Sequence, residues 1–144
     1  MRRAINNLAA VRKELGDLAG ACELFEQALA GCRRVLGEDH SLTLHSMNNL
    51  AETRRNQGDL DGAHQLHEQT LAARRRVLGD DHPETLRSMN NLATTRRNQG
   101  DLDGAHQLHE QTLAARRRVL GDDHPDTLTS TNNLAAVRRE LGEL

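Results

Sequence analysis

Between Leu18 and Leu36 the apolar residues fall at Ala21, Leu24, Phe25, Ala28, Leu29, Cys32, Val35 and Leu36, at spacings of three and four. That spacing collects them on one stripe of an α-helix. Asp17 stands before the stripe as an N-cap, and Gly16 and Gly37 stand where helices close on a left-handed residue. The same alternation of a shorter helix, a Gly-Asp-Leu hinge, a longer helix and a polar linker continues down the chain. It predicts helices over residues 1–15, 18–36, 42–57, 60–78, 83–99, 102–120 and 125–141. Pro83 and Pro125 take the favoured first helical position after a polar capping residue. Seven helices and short turns leave no room for strands.

The pattern is an exact repeat in part. Gly58 to Pro83 returns letter for letter from Gly100 to Pro125, a period of 42 residues, and residues 43–82 match 85–124 except at His45 against Arg87 and Glu52 against Thr94. Looser copies flank these, with Asn6-Asn7-Leu8-Ala9 before and Asn132-Asn133-Leu134-Ala135 after. A period of this length marks an array whose units cannot bury an apolar face alone. The expected organisation is one repeat domain over 1–144, with units near 1–40, 41–82 and 83–124 and a terminal helix over 125–144 that serves as a cap. Val137 and Leu141 are expected on that helix's outward side. Near-identity of the inner copies fits recent duplication or consensus design, and either favours a periodic surface over one tailored pocket.

Composition narrows the function. The formal net charge is -2, so no global basic field draws in nucleic acid or an anionic membrane. Phe25 is the only aromatic residue, which removes the stacking platforms of single-stranded nucleic acid binders. Cys22 and Cys32 lie ten residues apart on one helix, about 15 Å along its axis, too far for a disulfide. A reducing, cytoplasmic location is the simpler expectation. No signal peptide or membrane-spanning run is recognisable.

Helix pairs with Leu-Ala in the first helix, Gly at the turn and Ala in the second resemble tetratricopeptide repeats. The 42-residue spacing, the Asn-Asn-Leu-Ala string and the Leu-Gly-Asp-Asp-His-Pro linker resemble the kinesin light chain type of that repeat, also seen in bacterial proteins as arrays attached to signalling modules. The resemblance covers the whole chain. It implies an all-α fold, an α-solenoid of stacked antiparallel helix pairs wound into a right-handed superhelix, with a concave groove for peptides or partner proteins. The chain departs from the repeat pattern where an aromatic core is usual. Arg12, Arg54 and Arg96 occupy the Tyr position, and His67 and His109 the Phe position that Phe25 keeps. The expectation is that Arg96 lays its stem along the core and turns its head outward, with His109 neutral and hydrogen-bonded.

The resemblance assigns the concave face to the first helix of each pair. One side of that helix carries Arg87, Asn90, Thr94, Arg97 and Asn98, and across the units Asn6, Asn48, Asn90 and Asn132 line up beside Lys13, Arg55, Arg97 and Arg139. A ladder of Asn amides can hold an extended peptide backbone, and the cations favour acidic side chains or a carboxylate. The alternative is that the Asn residues bond neighbouring helices and the Arg residues are solvated. His64 with His67, and His106 with His109, offer two metal ligands each and no more, so packing explains them better. The Asp-Asp-His linkers suit helix N-termini, and Arg74-Arg75-Arg76 and Arg116-Arg117-Arg118 suit helix C-termini. No catalytic constellation, metal site or cofactor motif stands out. The expected function is non-catalytic: a scaffold that binds a peptide or protein segment. Head-to-tail self-association through the terminal helices, or a regulatory fragment of a larger signalling protein, are the other readings.

Overall fold

Capping chemistry sets the helix boundaries. A computed structural model describes residues 2–14 and 16–143, with side chains from Ala4 onward. The helices are α1 (Arg2–Glu14), α2 (Leu18–Leu36), α3 (Ser41–Asn56), α4 (Leu60–Leu78), α5 (Pro83–Asn98), α6 (Leu102–Leu120) and α7 (Pro125–Glu140). Seven helices and no strand are found among the described residues, each within about a residue of the expected bounds; Met1 and Leu15, expected in α1, and Leu144 lie outside the described residues.

Within each hairpin the hinge works as the sequence implies. Asp17, Asp59 and Asp101 accept from the backbone N–H of Gly20, Gly62 and Gly104 at 3.0, 3.0 and 2.9 Å. These bonds satisfy amides that the first turn leaves open. Gly100 precedes one such cap with φ of 87°, a conformation that L side chains adopt only with strain. Between hairpins the cap is the histidine rather than a carboxylate. Nδ1 of His40, His82 and His124 accepts from the N–H of Leu42, Glu84 and Asp126 at 3.1, 3.1 and 3.0 Å. An Nδ1 that accepts is unprotonated, so these rings hold the Nε2–H tautomer or none of the cap survives.

By its contacts the chain divides into two compact units, residues 1–73 and 74–144, the division falling inside α4. In the first, Ala9 of α1, Ala21, Phe25 and Leu29 of α2, and Leu44, Met47, Leu50 and Ala51 of α3 form one core, joined by Leu66 and Ala73 of α4. In the second, α6 lies between α5 and α7. Val137, expected on the outer side of α7, is fully buried. The helix stripe has turned that residue inward, where it continues the apolar row of Leu134.

The core is unusually polar, and local bonds make this tolerable. Buried Thr70 and Thr112 donate to the carbonyls of Leu66 and Leu108, four residues back, at 2.7 Å each. Such back-bonding satisfies a hydroxyl without a tertiary partner. One arginine of each triple-arginine run is interior. Arg74 and Arg116 are 4% and 8% exposed, and Nη1 of each donates to a buried serine hydroxyl, Ser88 or Ser130, at 2.7 Å. Arg116 also donates to the Asp126 carbonyl at 3.1 Å. The repeat equivalent in α2 is Cys32, whose Sγ lies 3.9 Å from Ser46 Oγ. An arginine thus spans the helix interface that a thiol merely fills.

At the aromatic position Arg96, expected to turn its head outward, is half-buried with its guanidinium Nε in the interior, whereas Arg54 and its equivalent Arg138 reach polar partners on neighbouring helices. Arg54 Nη2 donates to Glu26 Oε1 at 3.1 Å, and Arg138 Nε donates to His106 Nε2 at 3.3 Å. His109 is buried, and its Nδ1 makes no hydrogen bond among the described residues. Burial pushes the imidazole down to about 4, with Arg97, Arg116 and His106 acting in the same direction.

Removing the Ser130 hydroxyl takes one of two acceptors from the buried Arg116 Nη1 and leaves it the Asp126 carbonyl, so Ser130→Ala is expected to cost about 1–3 kcal/mol in urea unfolding. The same change made on an Arg116→Met background is expected to be nearly neutral, because the buried charge that used the hydroxyl is gone. The histidine predicts a pH dependence. Between its ordinary value of 6.5 and about 4, the unfolded chain binds a proton that the folded chain refuses. Stability is therefore full above pH 6.5 and falls as the pH drops through that window, by roughly 3 kcal/mol at the limit. His109→Phe, which installs the residue found at position 25, is expected to flatten this slope in unfolding curves collected between pH 7.5 and 4.5.

Candidate functional site

The first helix of each hairpin presents a polar stripe because its apolar residues are confined to the opposite arc. On α3 that stripe holds exposed His45 and half-buried Asn48, Glu52 and Arg55. Arg55 Nη2 meets Glu52 Oε2 one turn away at 3.0 Å, so the cation is balanced within its own helix.

The α5 stripe is balanced differently. Thr94 stands where α3 has Glu52, and its hydroxyl donates to the Asn90 carbonyl at 3.0 Å. Arg97 instead pairs with Glu140 of α7, and that guanidinium holds the Glu140 carboxyl below the usual carboxylate range. Asn90 Oδ1 accepts from Asn133 Nδ2 of α7 at 2.9 Å. Two polar bonds therefore tie α5 to α7 along the stripe, and one Asn of the expected ladder is engaged by a neighbouring helix. Arg87 is exposed with Glu84 at 3.7 Å, while Asn98, Asn132 and Arg139 are exposed.

In the first unit Asn6 is half-buried on α1, and its Oδ1 has no partner among the described residues. A cleft of about 350 Å³ opens nearby, lined by Ala10, Lys13 and Glu14 of α1, Phe25 of α2 and Asn49 of α3. Its walls come from two first helices and its floor from the second helix between them. Lys13 offers only donors there, Asn49 both a donor and an acceptor, and Phe25 gives the floor an apolar face. The ladder read from the sequence uses Asn48; the cleft uses Asn49, the second residue of each Asn-Asn pair. The 43-residue step between Asn90 and Asn133 has the same origin, because neighbouring first helices meet one residue out of register.

The histidine pairs do not converge on a metal. His106 Nδ1 contacts Glu110 Oε1 at 2.8 Å and its Nε2 accepts from Arg138, while His109 is interior. No group of three or more metal-ligating side chains occurs among the described residues. Nor is any described helix long and apolar enough to cross a membrane.

Comparison with known proteins agrees with this architecture. A family model described as tetratricopeptide repeat matches residues 1–76, and a second tetratricopeptide repeat model matches residues 85–126. None of the curated proteins matches the sequence. Among solved structures the chain is similar to kinesin light chain-type, nearly identical TPR-like repeats of Podosopora anserina, at 30% identity and a TM-score of 0.90, over 98% of this chain and 67% of that one. It is also similar to BtubC (BKLC) from P. vanneervenii, at 25% identity and a TM-score of 0.90, over 99% of this chain and 57% of that one. The chain spans about two thirds or less of the length of these structures. With all-α hairpins, a match across more than half of its residues and this likeness in three dimensions, the chain belongs to the tetratricopeptide repeat family, in its kinesin light chain-like type.

Proposed function

We propose that this chain is a non-catalytic scaffold that holds a peptide or protein segment against the polar stripes of its first helices. Tetratricopeptide repeats are generally protein-interaction modules, which sets the class. The observation that carries the finer reading is the cleft of about 350 Å³ between α1 and α3. An apolar floor under Lys13, Glu14 and Asn49 suits one side chain of an extended segment while the amide engages its backbone. Asn91 and Asn133 repeat the Asn49 amide on the later first helices, beside the ladder of Asn48, Asn90 and Asn132, and Arg55, Arg97 and Arg139 repeat the Lys13 cation.

The test is selection of binding peptides from a random library on the intact chain, followed by affinity measurement on variants. Asn49→Ala together with Phe25→His, the latter a residue the other repeats carry at that position, is expected to weaken the selected peptides about tenfold. Unchanged affinity with unchanged helicity by circular dichroism would remove the cleft from the reading.

Self-association is a second reading with its own observation. Leu8 and Val11 of α1 are 47% and 51% exposed, whereas their repeat equivalents Leu50 and Leu134, and Val137, are buried. A partner surface that covers them would complete the array's pattern. Light scattering over a wide concentration range is expected to show the mass rise with concentration for the native chain and stay monomeric for Leu8→Glu with Val11→Glu; a mass that never rises excludes it.

A further inference from the structure

Asn6 to Gly16 reads the same as Asn132 to Gly142, except at Lys13 against Arg139. Neither inner first helix shares that string: α3 has Glu52, Thr53, Asn56 and Gln57, and α5 has Thr94, Thr95, Asn98 and Gln99, where α7 has Ala136, Val137, Glu140 and Leu141. Over this stretch α1 and α7 are one helix written twice. They also close alike. The N–H groups of Gly16 and Asp17 donate to the carbonyls of Lys13 and Arg12 at 3.1 and 2.8 Å, and those of Gly142 and Glu143 to the carbonyls of Arg139 and Arg138 at 3.0 and 2.9 Å.

The two helices bury opposite sides of the shared sequence. α1 packs on α2, where Ala9 is fully buried in one core with Ala21 and Phe25, while Leu8 and Val11 are 47% and 51% exposed. α7 packs on α6, and there the equivalents of Leu8 and Val11, which are Leu134 and Val137, are the buried ones. Ala135, the equivalent of Ala9, is half-buried, Thr131 is exposed, and Leu128 is 50% exposed. α5, whose hairpin with α6 is complete, buries Leu86 and Ala93 at the places of Leu128 and Ala135. The side that α1 has covered is therefore the side that α7 leaves open, and the reverse. One helix of this sequence set between an α6 and an α2 is covered on both.

We propose that the seat α1 fills on α2 also takes α7 of a second copy of this chain, with α1 as the resident occupant that must first leave. α7 then lies between its own α6 and the α2 of the other copy, and the copies join head to tail by exchange of a first helix. The seat suits it. Ala135 takes the place of Ala9, and the turn at Gly142 follows that at Gly16. Thr131 stands for Ile5 with its hydroxyl already donating to the Thr127 carbonyl at 3.0 Å, and Leu128 brings an apolar side chain where sequence position 2 has Arg. Ala136, Arg139 and Glu140 reproduce the cleft residues Ala10, Lys13 and Glu14. In the resting chain the short hinge tethers α1 at an effective concentration on the order of millimolar, so exchange waits on whatever loosens α1. This contact is separate from one that covers Leu8 and Val11, which leave with α1.

A labelled peptide with the sequence of residues 125–143 is titrated into the native chain and into Ala9→Asp, which puts a charge into the contact of α1 with α2, and binding is read by fluorescence anisotropy. Ala9→Asp is expected to bind the peptide about tenfold more tightly than the native chain, because its resident helix is expelled. The same peptide carrying Ala135→Asp is expected not to bind. In light scattering the mass of the Ala9→Asp chain is expected to rise with concentration, and that of Ala9→Asp with Ala135→Asp to stay monomeric. Ala9→Leu overfills the same contact without a charge and serves the same comparisons if circular dichroism shows that the aspartate unfolds more than one helix. Equal binding of the peptide by native and substituted chains, binding of the Ala135→Asp peptide, a singly substituted chain that stays monomeric, or a doubly substituted chain that still associates overturns the exchange.

Discussion

A pair of helices with one apolar stripe each leaves part of that stripe in water until a third helix covers it. This constraint governs both units of the chain. α2 lies between α1 and α3, and α6 lies between α5 and α7, so the second helix of a hairpin is covered on two sides and the first helix keeps an open polar side. The Gly-Asp hinge and the histidine cap hold the helices at lengths that let this happen at every step, since each satisfies amides that a helix end would otherwise expose.

Because the burial is shared among helices, the core tolerates residues that a single central core would reject. Threonines answer their own helix, and an arginine replaces the thiol of Cys32 in the later copies by reaching a serine across the helix interface. His109, in the place of Phe25, has no such answer at Nδ1 and keeps its ring neutral instead. The repeat is therefore held by packing of leucine, methionine and alanine side chains plus a few directional bonds, and the aromatic layer that its family relatives' pattern calls for is reduced here to Phe25. The open side inherits the consequence: where Phe25 floors the first-unit cleft, the equivalent place in the second unit is a histidine beside cations.

Polar residues on the open side have two uses, and the structure assigns some of them to the fold. Asn90 with Asn133 and Arg97 with Glu140 tie α5 to α7, and Arg55 is balanced by Glu52. The remainder, Arg87, Asn98, Asn132 and Arg139, is exposed. The difference between stripes that share nearly every letter then lies in charge, not shape.

Helix number, helix ends and hinges were legible in the sequence, because 3.6-residue spacing and the residues able to cap a helix are local properties. Asp17, Gly37 and Pro83 announce their roles to the residues beside them. The resemblance of the repeat followed from the same local strings. What the sequence could not assign were choices made across helices. Arg74 and Arg116 look like the solvated neighbours beside them in each Arg-Arg-Arg run, and only the position of Ser88 and Ser130 on the next helix brings them inside. Val137 looked outward until α6 was placed, and Asn49 rather than Asn48 entered the cleft because adjacent first helices meet one residue out of register. Burial and pairing at those positions depend on the distance and rotation between helices, and those quantities exist only once the chain is folded.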